Sequence, residues 1–319
     1  MGSRRLRIIQ RLGAFEVGLF DLEGERAMRA AQAQQLSWFA TLEEAISNFN
    51  PDLALICTSP ESHMDIAEAL VDAGVDCFIE ASVVDQDRMP NLIKKSEEKN
   101  VMVLPSCTMH FFPLPQELRE LVEERGPESI LSISYHTGQH LEDWHPWERI
   151  SDYYVSRRET GGCRELVPFE LTWLNSILGV PQVLCASKGK VSNLPAAIDD
   201  FYSATLKYPG GAILNLFVEI QSRPSAAREL LVVGEDFQFQ YSQILGMKKL
   251  SDMQGTGKKE PLDIGISDNV TINPDLPYEL ELISFFSAVA ERNPELFPNS
   301  LERDRQVLEL LNLIEDAAN

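Results

Sequence analysis

From residue 17 to residue 104, short apolar runs alternate with amphipathic helical patterns, and this alternation constrains the fold more than any other feature of the chain. The runs at 17–21, 36–39, 52–57, 76–79 and 101–104 have the length of buried strands. Segments 25–34, 61–73 and 86–99 repeat apolar residues at helical spacing, with Met64, Ala67, Leu70 and Val71 on the core face of the second. Thr41 followed by Glu44 is a capping-box signature for a helix running to Phe49. Before the first run, Gly2–Leu12 places Leu6, Ile9 and Leu12 on one helical face, and Gly13 stops it. Strand and helix in strict alternation predict an α/β domain over 1–105, built on a doubly wound parallel sheet of Rossmann type.

The pattern changes afterwards. Residues 130–135, 183–191, 201–208, 212–220 and 230–233 are strand-like with few helices between them, and Tyr208-Pro209-Gly210-Gly211 is a hairpin turn signal. Helices are expected at 115–124 and 168–178, each with proline in its first turn, and again at 277–292 and 301–317. Residues 248–273 are polar and glycine-containing, which predicts a loop. The expectation for 106–319 is an α+β domain with a mostly antiparallel sheet and C-terminal helices.

Composition narrows the partners. With 28 Lys and Arg against 49 Asp and Glu, the net charge is −21, which argues against nucleic acid or an anionic membrane surface. The five cysteines are scattered, odd in number and without CxxC spacing, so neither a disulfide framework nor a zinc site is expected. No apolar run approaches the roughly 18 residues of a membrane span, and Arg11 and Glu16 interrupt the N-terminal apolar segment, so a cytoplasmic location is expected.

Two acids stand where a parallel sheet binds ligands, at the C-terminal ends of strands. Asp21 ends the run 17–21, and in a dinucleotide-binding unit an acid about 20 residues past the glycine loop bonds the ribose hydroxyls. Gly2 has that spacing from Asp21. Met1-Gly2-Ser3-Arg4-Arg5 is thus expected to be the tail of a glycine motif, its earlier glycines and their strand lying outside the sequence as given. Such a chain would hold a dinucleotide weakly, for want of most of the amides that cradle a pyrophosphate. Asp21 also suits a plain helix cap. The second acid, Glu80, follows the buried run Asp76-Cys77-Phe78-Ile79.

Asp21, then Thr58-Ser59-Pro60 with His63, then Phe78-Ile79-Glu80, and later Gly161-Gly162 before a helix: in this order the chain resembles the Gfo/Idh/MocA family, named for glucose–fructose oxidoreductase and inositol dehydrogenase. The resemblance covers essentially the whole chain from Gly2 to the Asn299-Ser300-Leu301-Glu302 helix. It implies NAD(P) held in the first domain and a sugar-like small molecule against the second domain's sheet, with self-association into a homo-oligomer through that sheet's flat face. Asp21 suits NAD better than NADP, because a carboxylate repels a 2′-phosphate. Gly2, Asp21, Thr58, Ser59, Pro60, His63 and Glu80 are the implied cofactor residues, Glu80 being the acid of an E-K-P motif. Ala81 and Ser82 stand in place of that motif's lysine and proline, and Phe169 stands near the place of the family's helix histidine.

Replacements for those proton-handling groups are sought between residues 136 and 165. His136, His140, Asp143, Trp144, His145, Trp147, Tyr153, Tyr154, Arg157, Arg158 and Glu165 mix aromatic faces for sugar C–H surfaces with hydrogen-bonding and charged groups. His140 and Glu165 are the candidate catalytic residues; His110, Asp143, Trp144, His145, Arg157 and Arg158 are the candidate substrate contacts. An exposed loop anchored by tryptophans is the plainer reading of 139–147, and a packed histidine that of His110. The spacing of His136, His140 and His145 gives no basis for a metal site. The expected activity is NAD-dependent hydride transfer on a sugar or activated-sugar derivative. A silent sensor or partner protein, favoured by Ala81, and an NAD-using redox-neutral lyase or hydrolase are the alternatives.

Overall fold

The computed structural model describes residues 1–13, 15–144, 146, 149–262 and 275–318. The chain forms two compact units, Met1–Thr108 with Asp275–Asp304, and Met109–Pro274 with Arg305–Asn319. The first unit thus runs to Thr108 and also takes in Asp275–Asp304.

The first unit alternates as expected: α1 (Gly2–Leu12), β1 (Gly18–Phe20), α2 (Gly24–Gln34), β2 (Ser37–Phe39), α3 (Leu42–Glu44), β3 (Leu53–Ile56), α4 (His63–Ala73), β4 (Asp76–Ile79), α5 (Met89–Lys99) and β5 (Val103–Pro105). Gly13 closes α1 in the left-handed conformation, φ 77°, a region that costs glycine nothing. Thr41 caps α3 by accepting from the Glu44 N–H at 3.1 Å. All pairings are parallel, but the strands fall in two sheets, β1–β2 and β3–β4–β5. Central β4 is buried along its whole length, as a strand covered on both faces requires. Its Phe78 meets Phe285 and Phe297 edge-on, with ring centroids 5.6 and 6.3 Å apart. The buried side of α1 differs from the expected face: Arg5, Leu6 and Ile8 are buried, while Ile9 and Leu12 are only half-buried.

In the second unit α6 (Pro113–Arg125), β6 (Ile130–Gly138) and α7 (Cys163–Leu178) precede a run of strands: β7 (Gln182–Gly189), β8 (Phe201–Lys207), β9 (Ile213–Glu219), β10 (Ala227–Gly234), β11 (Phe237–Ser242), β12 (Met247–Asp252) and β13 (Gly257–Pro261). They form one eight-stranded sheet in the order β13-β12-β11-β10-β6-β9-β8-β7, antiparallel except for β6 against β9. The β8–β9 hairpin turns where expected, with the Tyr208 N–H donating to the Ala212 carbonyl.

Three sequence expectations are corrected here. Strands β12 and β13 occupy part of the 248–273 segment read as loop; residues 263–273 lie outside the described residues. Their polar composition suits an edge, and Lys258, Lys259 and Pro261 on the outermost strand discourage further pairing. Strand β11 was overlooked although Phe237, Phe239 and Tyr241 alternate as buried residues. Finally, α7 begins at Cys163, so Pro168 lies inside the helix rather than in its first turn. The helix starts early because Gly162 at φ 65° admits the turn that opens it. Helices α8 (Asp275–Glu291) and α9 (Leu301–Ala317) close the chain; α8 belongs to the first unit.

Candidate functional site

The cofactor candidates of the first unit occupy the helix starts and strand ends of the parallel sheets. Gly2 and Ser3 open the 11-residue helix α1, whose cap residue Met1 supplies no side-chain acceptor. The first N–H groups of a helix have no intrahelical partner, and they favour an anion. Asp21 follows β1; its Oδ1 accepts the Glu23 N–H at 2.8 Å and its Oδ2 lies 3.6 Å from Arg26. The helix cap itself is Glu23, without a side-chain cap bond, so the half-buried Asp21 braces the turn before α2 rather than capping the helix.

After β3 the turn closes on itself. Ser62 Oγ donates to the Ser59 carbonyl at 2.9 Å and lies 2.7 Å from the Thr58 hydroxyl, which can donate to it, and Pro60 is buried at the start of the following 3₁₀ turn. His63 is buried, with Nε2 3.0 Å from the Thr58 carbonyl. That carbonyl can only accept, so Nε2 carries the proton. Burial pushes the imidazole below the ordinary histidine range, which leaves it neutral. Its Nδ1 is buried without a hydrogen-bond partner among the described residues.

Glu80 is placed at the end of β4, its N–H donating to the Ile56 carbonyl at 2.9 Å, as the sequence led one to expect. Its carboxylate, however, closes on a cation that sequence reasoning overlooked. Arg5 Nε donates to Glu80 Oε1 at 2.6 Å, and Arg5 NH2 donates to Glu281 Oε2 at 2.6 Å. The guanidinium lies over the rings of Phe78 and Tyr278, at 4.7 and 5.2 Å from their centroids. Glu281 also accepts from Ser106 Oγ, the Cys107 N–H and Thr108 Oγ1 at 3.0, 2.6 and 2.7 Å. Burial alone would lower the Arg5 pKa; the two carboxylates outweigh it and hold it above the usual range. Only the charged-residue spacing of α1, with Arg5 one turn from Ile8 and Ile9, could have hinted that this arginine turns inward.

The groups in this unit chemically able to hold a dinucleotide are the N–H groups of the α1 N-terminal turn and the Asp21 carboxylate. Glu80 is a third such group only in position, since Arg5 already neutralises it.

In the second unit the candidates separate into two groups. One is the strap 139–144. It continues the β6–β9 pairing, with the His140 and Leu141 N–H groups donating to the Ser222 and Ile220 carbonyls. His140 Nδ1 accepts the Glu142 N–H at 3.3 Å, which assigns the ring proton to Nε2. Asp143 is held in a two-point ion pair by Arg223, at 2.7 and 3.0 Å, and these hydrogen bonds keep its carboxyl below the usual range. Trp144 Nε1 donates to the Gln139 carbonyl at 3.3 Å. His145 and Trp147 lie outside the described residues. His110 is buried, its Nδ1 accepting from Arg119 at 3.2 Å, and is a packed histidine in this arrangement.

The other group surrounds the start of α7. Gly161 has no room for a side chain, since a Cβ there would lie 2.1 Å from the Val155 carbonyl oxygen. That close approach brings the 3₁₀ turn Tyr154–Ser156 onto the helix start. Tyr154 Oη donates to Glu165 Oε1 at 2.8 Å, and Thr160 Oγ1 donates to the Tyr154 carbonyl at 2.8 Å. Glu165 is half-buried with its Oε2 fully enclosed and without a hydrogen-bond partner among the described residues. Burial pushes its carboxyl up to about 7, against the smaller opposing effect of the Tyr154 hydrogen bond. Arg157 and Arg158 are exposed on the same turn, Arg158 lying 3.6 Å from Asp199.

One turn further on, Glu170 is fully buried and satisfied by Tyr135, Trp173 and Arg228, each at 2.7–2.8 Å. On the opposite face of the sheet, His136 Nε2 lies 3.1 Å from Glu219 Oε1, beside an open hollow of about 360 Å³ lined by Asn215, Phe217, Leu231 and Gln240. No group of histidine, cysteine and acidic side chains able to hold a metal occurs among the described residues.

Residues 1–105 match the profile of an oxidoreductase family with an NAD-binding Rossmann fold, Gfo/Idh/MocA. No curated protein matches the chain. Among solved structures, an oxidoreductase from Agrobacterium radiobacter in complex with NAD+, L-tartaric acid and magnesium is similar at TM-score 0.84 and 12% identity, over 99% of this chain and 93% of that one. An oxidoreductase from Thermotoga maritima is similar at 0.80 and 15%, over 100% and 94%. UDP-N-acetylglucosamine 3-dehydrogenase from Acidithiobacillus ferrooxidans is similar at 0.75 and 18%, over 99% and 94%. At these identities the likeness is one of fold. No helix among the described residues is long and apolar enough to cross a membrane.

Proposed function

We propose that this chain, whose residues 1–105 belong to the NAD-binding Gfo/Idh/MocA oxidoreductases, is a cytoplasmic NAD-dependent dehydrogenase acting on a hydroxyl of a sugar or activated sugar. The observation that carries the reading is Glu165: a carboxyl held near neutrality at the start of α7, with one oxygen hydrogen-bonded and the other enclosed and unpartnered. A group with its proton equilibrium near 7 can both take and return a proton at working pH. NAD supplies the two-electron acceptor when bound. Gly2 and the α1 start would take its pyrophosphate and Asp21 its ribose hydroxyls, with Thr58, Ser59, Pro60 and His63 on the nicotinamide side. The carboxylate at Asp21 favours NAD over NADP.

The fold likeness to a UDP-N-acetylglucosamine dehydrogenase supports an activated sugar, and the exposed Arg157 and Arg158 suit its phosphates. His140 carries a second exchangeable proton, on Nε2, and Trp144 offers an aromatic face. Calorimetric titration with NAD and NADP tests the cofactor, and a panel of sugars and nucleotide sugars followed at 340 nm tests the reaction. Absence of NAD binding would sink the reading. A silent sensor of the same fold remains the second reading, favoured by Ala81 and by the locking of Glu80 to Arg5. NAD binding without turnover of any sugar would support it.

Self-association through the outer face of the eight-stranded sheet belongs to the same proposal. The inward row of β9, Leu214, Leu216 and Val218, is spent on the unit's own core. The outward row carries Phe217, 39% exposed, beside equally exposed Leu231. Light scattering of wild type and Phe217→Asp decides: a shift to a smaller species in the variant is expected, and a monomeric wild type would refute it.

A further inference from the structure

The hollow on the outer face of the eight-stranded sheet takes no part in the dehydrogenase chemistry proposed above. Strand register shows why it is there. Asn215, Ser134, Leu231 and Gln240 stand side by side on β9, β6, β10 and β11, and Phe217, His136 and Glu229 form the neighbouring row. Cross-strand partners point to the same side of a sheet, so a short side chain among long ones leaves a gap. Ser134 is that short side chain. The space over it is about 360 Å³, within the range of about 300–1,000 Å³ in which small ligands are held. The lining groups are of one chemical kind. Phe217 offers an exposed ring, 5.2 Å from that of His136. Asn215 Oδ1 accepts from Thr205 Oγ1 at 3.0 Å, which leaves the amide nitrogen to donate. Ser134 and Gln240 each donate and accept. Glu229 gives one oxygen to the Ile244 N–H at 3.0 Å and keeps the other as an acceptor. Among the described residues, no lysine or arginine lines the hollow.

We propose that this hollow is a binding site for one neutral pyranose ring, laid on the Phe217 face and held through its hydroxyls by Ser134, Asn215 and Gln240. The site lies wholly within the second unit and goes beyond the dehydrogenase reading. A sugar hydroxyl both donates and accepts, which is what a serine and two carboxamides ask of a partner. The C–H surface of the ring suits an aromatic face. A phosphate or carboxylate finds no cation here and meets the Glu229 carboxylate instead. An ammonium group only donates, and would leave the Asn215 amide nitrogen facing another donor. The Phe217 ring faces one occupant at a time. A bound pyranose and a second copy seated on Phe217 therefore exclude each other.

Saturation-transfer NMR titration with the methyl glycosides of glucose, galactose, mannose and N-acetylglucosamine tests the site, with glucose 1-phosphate and choline as charged controls. At least one glycoside is expected to bind, and neither control. Phe217→Ala is expected to weaken binding about tenfold, the usual loss with an aromatic contact. Ser134→Phe fills the hollow and is expected to abolish binding. Gln240→Ala, at an exposed side chain, is expected to weaken it, and serves if the phenylalanine variant fails to fold. Absence of binding by every glycoside overturns the proposal, and with a mass above the monomer in light scattering it assigns the hollow to a second copy. Binding that is unchanged in Ser134→Phe and Gln240→Ala also overturns it, because the sugar is then held elsewhere; the dehydrogenase reading survives that result. In a wild type that associates, saturating glycoside is expected to shift the mass to the smaller species, and an unshifted mass places the ring off Phe217 and refutes the site as described. A monomeric wild type whose glycoside is lost in Ser134→Phe supports the site and defeats only the association.

Discussion

Glu80 and Glu165 are both enclosed carboxylates at the C-terminal end of a strand or the start of a helix, and both stood out in the sequence. They differ in what answers them. Glu80 meets a guanidinium shared with Glu281, and Glu281 is itself met by a peptide N–H and two hydroxyls. Glu165 meets one neutral hydroxyl and keeps an oxygen spare. A buried carboxylate met by a cation is tied into the fold; one met only by a neutral hydroxyl is pushed up toward neutrality by burial. Position at a strand end marks a candidate, but the partner decides how an enclosed acid is held.

The comparison is broken most severely at Arg5. Replacing it by methionine strands two buried carboxylates, and the loss on breaking such a cluster is about 3–5 kcal/mol. Urea unfolding of Arg5→Met should show it, and a loss under about 1 kcal/mol would mean that Glu80 is not structurally committed. Gly161→Ala comes next. Its Cβ would collide with the Val155 backbone, at a cost of about 1–3 kcal/mol, and in an infrared titration of the Glu165 carboxyl it should displace the midpoint because the Tyr154 turn must move away.

A smaller effect separates the acids by pH. The Glu165 carboxyl titrates near 4.5 when unfolded and near 7 when folded, so between these values the native state binds more protons. Stability therefore falls as pH rises from about 4.5 to about 7, and Glu165→Gln should flatten that slope. An unchanged slope would place the raised titration elsewhere. At the smallest end, Arg223→Ala removes the surface partner of Asp143. No measurable change in unfolding midpoint is expected, since exposed pairs contribute little.

The first unit's strand–helix alternation was legible because buried parallel strands and amphipathic helices leave periodic signatures over several residues. Strands β12 and β13 were not, because an edge that must avoid further pairing carries lysine and proline where a central strand carries valine. Gly161-Gly162 pointed correctly to a close turn before a helix, yet Pro168 misled on where that helix starts. For the sites, Asp21, Thr58 and Glu80 lie just past the ends of β1, β3 and β4, and His63 opens α4, as local pattern led one to expect. What local pattern could not convey is pairing across the sequence. Arg5 is an unremarkable surface cation until Glu80 and Glu281 are brought to it, and Asp143 looks available until Arg223 takes it.

The return of α8 to the first unit has a consequence for how the protein is made. Arg5 is separated from Glu281 by 276 positions. At ribosomal rates of about 5–20 residues per second, the charge at the centre of α1 waits roughly 15–55 s for its second counter-ion. Over the same interval the Phe78 ring lacks its edge-on partners Phe285 and Phe297. Completion of the first unit waits on α8, which acts as its latch.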